Sequence, residues 1–154
     1  MLEHRGWLTD SCILDLYAGS GALGIEALSR GARAVTFVES SAGVLRTLRD
    51  NVAVSGFAER AEVMATSAER ALRLLERRGS RVDGVIADPP YGRGCVQRLV
   101  DGLAAGAVLA PGGWVALEHA ADETPQARPG LAVTASRRHG GTALTLFHRP
   151  EAPA

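Results

Sequence analysis

The feature that most limits how this chain can fold is the segment Gly19-Ser20-Gly21-Ala22-Leu23-Gly24. It follows a short apolar run, Cys12-Ile13-Leu14-Asp15-Leu16-Tyr17, and opens a helical pattern. The spacing G-x-G-x-x-G has a mechanical meaning in that context. The glycines permit a tight strand-to-helix turn and let the backbone come close to a bound ligand. A second β-branched run, Ala34 to Glu39, ends in an acidic residue 20 positions beyond Gly19. A carboxylate there can accept hydrogen bonds from ribose hydroxyls. The turn therefore points to an α/β unit with a nucleotide-like ligand at its carboxyl edge, the alternative being a glycine-rich strand-to-helix turn without a ligand.

The rest of the chain continues the alternation. Ala22 to Arg30 reads as a helix stopped at Gly31, and Ser40 or Ser41 can cap a second helix that runs to Gly56 through Leu45, Leu48 and Val52. A third strand is expected near Ala61 to Ala65. Thr66 and Glu69 form a capping-box pattern before Ala71, Leu72, Leu74 and Leu75. Val82 to Ala87 is a fourth strand, Val96 to Leu109 a fourth helix, and Trp114 to Glu118 a fifth strand after the turn Pro111-Gly112-Gly113. Beyond the proline-containing loop Ala121 to Gly130 the pattern changes. Leu131 to Arg138 and Thr142 to His148 are extended runs joined by His139-Gly140-Gly141, so an antiparallel hairpin is expected. Strands separated by helices pair in parallel through right-handed crossovers. The expectation is a doubly wound, mostly parallel sheet ending in an antiparallel hairpin. It forms one domain over residues 1–150, with 151–154 as a tail.

Two cofactor classes fit the glycine loop: a nicotinamide dinucleotide and S-adenosyl-L-methionine. Asp15 weighs between them. It sits inside the first strand, four residues before Gly19, where an unpartnered carboxylate is costly. Near a pyrophosphate it would be repelled, whereas near a cationic sulfonium with an amino group and a ribose it is welcome. This favours S-adenosyl-L-methionine over a dinucleotide.

The second motif is Asp88-Pro89-Pro90-Tyr91, at the carboxyl end of the fourth strand, where open α/β sheets bind ligands. The prolines restrict the backbone and remove donors. An Asp carboxylate and a proline carbonyl then present two acceptors, which suit the two hydrogens of an exocyclic amine on a base. Tyr91 offers a flat face for stacking, worth about 1–3 kcal/mol per base. A dehydrogenase has no use for this motif.

Composition enters as a counterweight. The 154 residues carry 17 basic and 17 acidic side chains, all the basic ones Arg, for a formal net charge of zero. Domains that bind nucleic acid by bulk electrostatics are usually basic. Cys12 and Cys95 lack metal-site or disulfide spacing, and neither a secretory segment nor a membrane-length apolar run occurs, so a cytoplasmic protein without a metal is expected.

Taken together, the stretch Leu14 to Ala32 with Val38-Glu39, Asn51, Asp88-Pro89-Pro90-Tyr91 and His139-Gly140 resembles the bacterial 16S rRNA guanine-N2 methyltransferases, over nearly the whole chain. The resemblance implies a Rossmann-like, class I S-adenosyl-L-methionine-dependent methyltransferase fold. It implies methyl transfer to the exocyclic N2 amine of a guanine in 16S rRNA, guanine 966 in the family, with S-adenosyl-L-homocysteine as product. The substrate would be 16S rRNA in the small subunit or an assembly intermediate, with the enzyme as a monomer. Asp15, Tyr17, Gly19, Ser20 and Gly21 would line the cofactor pocket, and Glu39 would bind the ribose. Asp88 and Pro89 would hold the amine, with Pro90 and Tyr91 completing the catalytic turn and Asp88 also touching the cofactor.

Two departures accompany the resemblance. The family places an Asp or Asn near the end of the third strand, where this chain has Thr66-Ser67-Ala68, so Ser67 or the backbone would meet adenine. The family also has a further basic N-terminal segment, and Met1-Leu2-Glu3-His4 looks like the tail of a helix within it. Alternatives are an adenine-N6 methyltransferase, one acting on another rRNA guanine, or a cofactor-binding remnant without activity. Arg70, Arg73, Arg77, Arg78 and Arg81 read as a solvated face paired with Glu69 and Glu76. Arg93, Arg137, Arg138 and His139 are the better candidates for phosphate contacts. Glu26, Ser29, Arg30, His119, Trp7 and Trp114 read as structural.

Overall fold

The computed structural model describes residues 6–154; the expected helix tail at Met1 to His4 lies outside them. Seven strands form one sheet in the order β3-β2-β1-β4-β5-β7-β6. They are β1 (Cys12–Leu16), β2 (Ala34–Glu39), β3 (Ala61–Ala65), β4 (Val82–Ala87), β5 (Leu109–Ala120), β6 (Ala132–His139) and β7 (Thr142–His148). The first five pair in parallel, and β7 runs antiparallel between β5 and β6. Four helices supply the crossovers: α1 (Ala22–Ser29), α2 (Ala42–Ser55), α3 (Ala68–Arg77) and α4 (Cys95–Ala105).

The two faces of the sheet carry separate cores, as the period of two requires. On one face Ile13, Val35, Phe37, Ile86, Trp114 and Ala116 pack with Ala27 and Leu28 of α1 and Leu45, Leu48 and Val52 of α2. On the other, Leu14, Leu16, Val38, Val85, Ala87, Val115 and Leu117 pack with Ala71 and Leu75 of α3 and Val96, Leu99 and Leu103 of α4. The central strands are apolar on both sides, which explains their unbroken hydrophobic runs. The Trp7 and Trp114 rings stack at 5.4 Å between centroids and close the first core.

Three local expectations are corrected. Ser67, not Thr66, caps α3: its Oγ accepts the Arg70 N–H at 3.2 Å, while the Thr66 N–H goes to the Met64 carbonyl. Helix α4 ends at Ala105 and not at Leu109, because Arg149 caps it from the far end of the chain. Its guanidinium donates to the carbonyls of Leu103, Ala104 and Gly106. A cation there satisfies the orphan carbonyls and the helix dipole, and no local pattern predicts it. Strand β5 consequently begins at Leu109 and absorbs Pro111-Gly112-Gly113 as an irregularity, since Val82 pairs with Leu109 but Gly84 with Trp114.

Candidate active site

The strand order reverses at β1, whose neighbours β2 and β4 lead to opposite halves of the sheet. Ligands bind open α/β sheets beyond the carboxyl ends of the strands at such a switch point. Register and alternation place the acidic residues of that edge on one face. Asp15 pairs with Phe37 and Ile86 and shares their face, the one covered by α1 and α2. Glu39 follows Val38 on β2, Asp88 follows Ala87 on β4, and Glu118 follows Leu117 on β5. Val38, Ala87 and Leu117 all belong to the opposite core. Glu39 and Glu118, still within β2 and β5, therefore fall on the face of Asp15, while Asp88 comes directly after the end of β4. Glu39, Asp88 and Glu118 thus stand at one level of the sheet's carboxyl edge, with Asp15 two residues inside it.

The glycine loop is held on this edge from three sides. The Glu39 carboxylate accepts the Gly19 N–H at 3.0 Å through Oε1 and the Ser41 N–H at 2.9 Å through Oε2. Asn51 on α2 donates to the Ser20 carbonyl at 2.9 Å. Asp15 accepts the Gly24 N–H at 3.1 Å. Asp15 is 2% exposed, and burial outweighs that hydrogen bond and pushes its pKa from 3.8 up to about 7. Gly19 and Gly21 have φ of 59° and 84°, in the left-handed region that favours glycine. A Cβ on Gly19 would meet nothing within 4 Å, so the loop presents bare backbone to open space there.

The Asp88-Pro89-Pro90-Tyr91 turn leaves the edge beside this loop. Asp88 is exposed and partly desolvated, which raises its pKa, while Pro89 is buried. Tyr91 is 49% exposed, an aromatic ring on an open surface. Desolvation and the nearby charges of Asp88, Glu118 and Glu123 raise its hydroxyl pKa. Glu123, in the connection after β5, accepts the Gly92 N–H at 2.9 Å and ties the turn down.

Tyr17 and Ser67 sit differently. Tyr17 follows Leu16 with φ of 57°, unusual for a bulky residue, and packs against the core of the α3 and α4 face. It lines a cavity of about 300 Å³ with Leu72, Arg98 and Leu99, where burial, then the charge of Glu69, pushes its pKa up to about 12. Its ring is thus directed to the face opposite Asp15. The Ser67 hydroxyl accepts from Arg70 as a cap and keeps its own proton for donation.

Of the remaining residues, His119 is buried and bridges the Thr145 hydroxyl at 2.7 Å and the Ala120 carbonyl at 2.8 Å, a structural role. Glu26 pairs with Arg30 at 2.7 Å, and the Ser29 hydroxyl donates to the Glu26 carbonyl. Within the arginine run, Arg78 pairs with Glu62 of β3 at 2.9 Å, and Glu76 accepts the Ala107 N–H instead of an arginine. Sequence reasoning missed Glu118 and Glu123. Glu118 could have been found from its alternation with Leu117. Glu123 had no signal, because only the folded connection brings it to Gly92.

The family model described as conserved hypothetical protein 95 matches residues 1–148. The chain belongs to this family. Among relatives, YlbH of Bacillus subtilis, whose name assigns it provisionally to the rRNA methyltransferases, is 32% identical over 88% of this chain and 74% of its own length. The ribosomal RNA small subunit methyltransferase D of Escherichia coli K12 is 35% identical over 72% of this chain. The match spans about half of that relative's length, 51%. Among solved structures, yhhF of Escherichia coli, provisionally named a methyltransferase, superposes with a TM-score of 0.83 at 30% identity, covering 94% of this chain and 78% of its own. The fold is thus the Rossmann-like methyltransferase fold. Among the described residues no group of three His, Cys, Asp or Glu side chains could hold a metal ion, and no helix is long and apolar enough to cross a membrane.

Proposed function

We propose that this chain is the methyl-transfer domain of a 16S rRNA methyltransferase that acts on the exocyclic N2 amine of a guanine in the small ribosomal subunit or its assembly intermediate. The observation that carries the reading is the adjacency of the Asp88-Pro89 acceptor pair to the bare glycine loop at the β1 and β4 switch point. The names of the rRNA methyltransferase relatives support the RNA substrate, which would put the working protein in the cytoplasm.

The site fits S-adenosyl-L-methionine. Gly19 leaves open space against the backbone with Ser20 exposed beside it, and Gly21 packs inward against Leu48 and Phe37 and sets the turn. Buried Asp15 holds the loop through Gly24 and places negative charge beneath it, Glu39 stands at the position for ribose hydroxyls, and Ser67 keeps a hydroxyl proton for adenine. When bound, the cofactor supplies an electrophilic methyl group and leaves as S-adenosyl-L-homocysteine. The chain's own work is orientation. The Asp88 carboxylate and the Pro89 carbonyl accept the two amine hydrogens, which directs the nitrogen lone pair toward the cofactor edge. Pro90 restricts the turn, and Tyr91 stacks on the base. No strong base is needed before transfer. Asp88 takes the proton shed by the methylated amine, a task its raised pKa suits. Positioning and charge complementarity account for the rate.

The test is methyl transfer to small subunits, naked 16S rRNA and DNA, followed by mass spectrometry of the nucleosides. N2-methylguanosine from the ribosomal substrates is expected, and methyladenosine would overturn the reading. Asp88→Ala should lower turnover by a factor of at least 100 while affinity for S-adenosyl-L-homocysteine is retained.

A further inference from the structure

We propose that Glu118 selects guanine by accepting the ring N1–H of the base whose N2 amine rests on Asp88 and Pro89. The inference rests on the reading of this edge as an exocyclic-amine site and adds a residue that decides which base enters it.

The geometry comes from the β4 and β5 ladder. Ala87 pairs with Leu117 as the last pair of the ladder, so Asp88 and Glu118 follow side by side on neighbouring chain segments, whose backbones lie about 4.8 Å apart in the ladder they leave. Glu118 is half-buried and lies close enough to Tyr91 for its charge to act on the phenol, together with those of Asp88 and Glu123. The cofactor-side carboxylates Asp15 and Glu39 lie on β1 and β2, on the other side of Asp88. Glu118 therefore flanks the acceptor position on the side away from the cofactor. A base held by its amine at Asp88 and stacked on Tyr91 presents the neighbouring atom of its ring edge to this carboxylate.

The chemistry of that neighbouring atom separates the bases. Three bases carry an exocyclic amine. Adenine N6 is flanked by N1 and N7, both acceptors, and cytosine N4 by N3, an acceptor. Guanine alone places a donor, N1–H, beside its amine. A carboxylate only accepts hydrogen bonds. It complements guanine and faces lone pairs on the other two. A site built to bond a donor rejects an analogue lacking it by large factors, because its own polar group is left unpaired. Glu118 pairs with Leu144 across the β5 and β7 ladder, and Leu144 and Leu117 belong to the two apolar cores while the Glu118 carboxylate stays half-buried at the edge.

The experiment uses small subunits assembled from 16S rRNA that carries either guanosine or 2,6-diaminopurine riboside at the acceptor position mapped by mass spectrometry. The analogue keeps the N2 amine but has a bare N1. Wild type is expected to prefer guanosine by about 100-fold in kcat/KM. In Glu118→Gln the side-chain amide can donate to the bare N1, so the preference should fall at least tenfold. Affinity for S-adenosyl-L-homocysteine and the thermal midpoint should stay unchanged. An unaltered preference in E118Q, with guanine methylated by both proteins, overturns the role of Glu118 and leaves the amine site standing. Methylation of adenine instead of guanine by the wild type overturns both.

Discussion

The Asp15 carboxylate and the Gly24 backbone N–H meet at 3.1 Å beneath the glycine loop, with Asp15 wholly inside the protein. One hydrogen bond does not offset the loss of water around a charge, so burial, and secondarily the charge of Glu39, carries the Asp15 pKa from 3.8 to about 7. A carboxyl group with a raised pKa binds its proton more tightly in the folded state. Its contribution to stability is fullest below the unfolded value and declines as pH rises between 3.8 and about 7. Asp15→Asn keeps an oxygen for Gly24 and removes the titration. Urea unfolding from pH 4 to pH 8 should show the variant gaining stability relative to wild type as pH rises through this window. Parallel profiles would show that Asp15 is not the group responsible.

Gly24 and Gly19 both belong to the G-x-G-x-x-G spacing yet serve different ends. A Cβ at Gly24 would overlap the Phe37 ring and lie 2.9 Å from Asp15 Oδ2. Phe37 is fully buried and cannot retreat. Overpacking of that kind costs about 1–3 kcal/mol, against about 1 kcal/mol gained by alanine in a helix. Gly24→Ala should therefore lower stability by up to about 2 kcal/mol in denaturant titrations. Gly19→Ala meets no neighbour, and its cost is the left-handed backbone, about 1 kcal/mol. Its larger effect should be on cofactor affinity, measured by calorimetry. Cofactor affinity lost in Gly24→Ala but kept in Gly19→Ala would contradict this division.

The strap between Glu123 and Gly92 predicts a split between kinetic parameters. Glu123 Oε1 accepts the Gly92 N–H, and its other oxygen is buried without a partner among the described residues. An amide at this position keeps the acceptor and drops an unpartnered charge. Glu123→Gln should retain near wild-type methyl transfer. Glu123→Ala should release the Tyr91-Gly92 turn and lower kcat/KM for RNA about tenfold, the order expected when a positioning contact is lost. Affinity for S-adenosyl-L-homocysteine should not change in either variant. A glutamine variant as impaired as the alanine one would mean that the charge, not the tether, matters.

The alternation of strands and helices, the glycine loop and the terminal hairpin were legible in sequence because each depends on neighbours in the chain. Periodicity fixes which face a residue takes, and a G-x-G-x-x-G turn after a strand has few other uses. What escaped depends on partners remote in sequence. Arg149 ends α4 from more than forty residues away, and Glu76 serves Ala107 where i to i+4 pairing suggested an arginine. Glu123 reaches Gly92 only because the loop after β5 folds back. The direction of the Tyr17 ring escaped for another reason. Alternation puts it on the face of Asp15, two residues earlier, and only the left-handed backbone at Tyr17, with φ of 57°, turns the ring to the opposite face.

Arg137 and Arg138, adjacent in the hairpin, should differ in their effect on RNA. Arg137 pairs with Leu144, which itself pairs with Glu118, so Arg137 lies in the row of Glu118 and on its face. Two further strand spacings place it about 10 Å beyond Glu118, a reach suited to a phosphate next to a base held at Asp88. Arg138 pairs with Ala143, takes the other face, and lines a cavity there with His119 and Thr145. Arg137→Ala should weaken RNA binding uniformly across sequences and reduce the slope of log K against log salt by about 1, the signature of one lost phosphate contact. Arg138→Ala should leave that slope unchanged. Filter-binding titrations of 16S rRNA at several salt concentrations measure both, and equal slopes for the two variants would remove Arg137 from the RNA path.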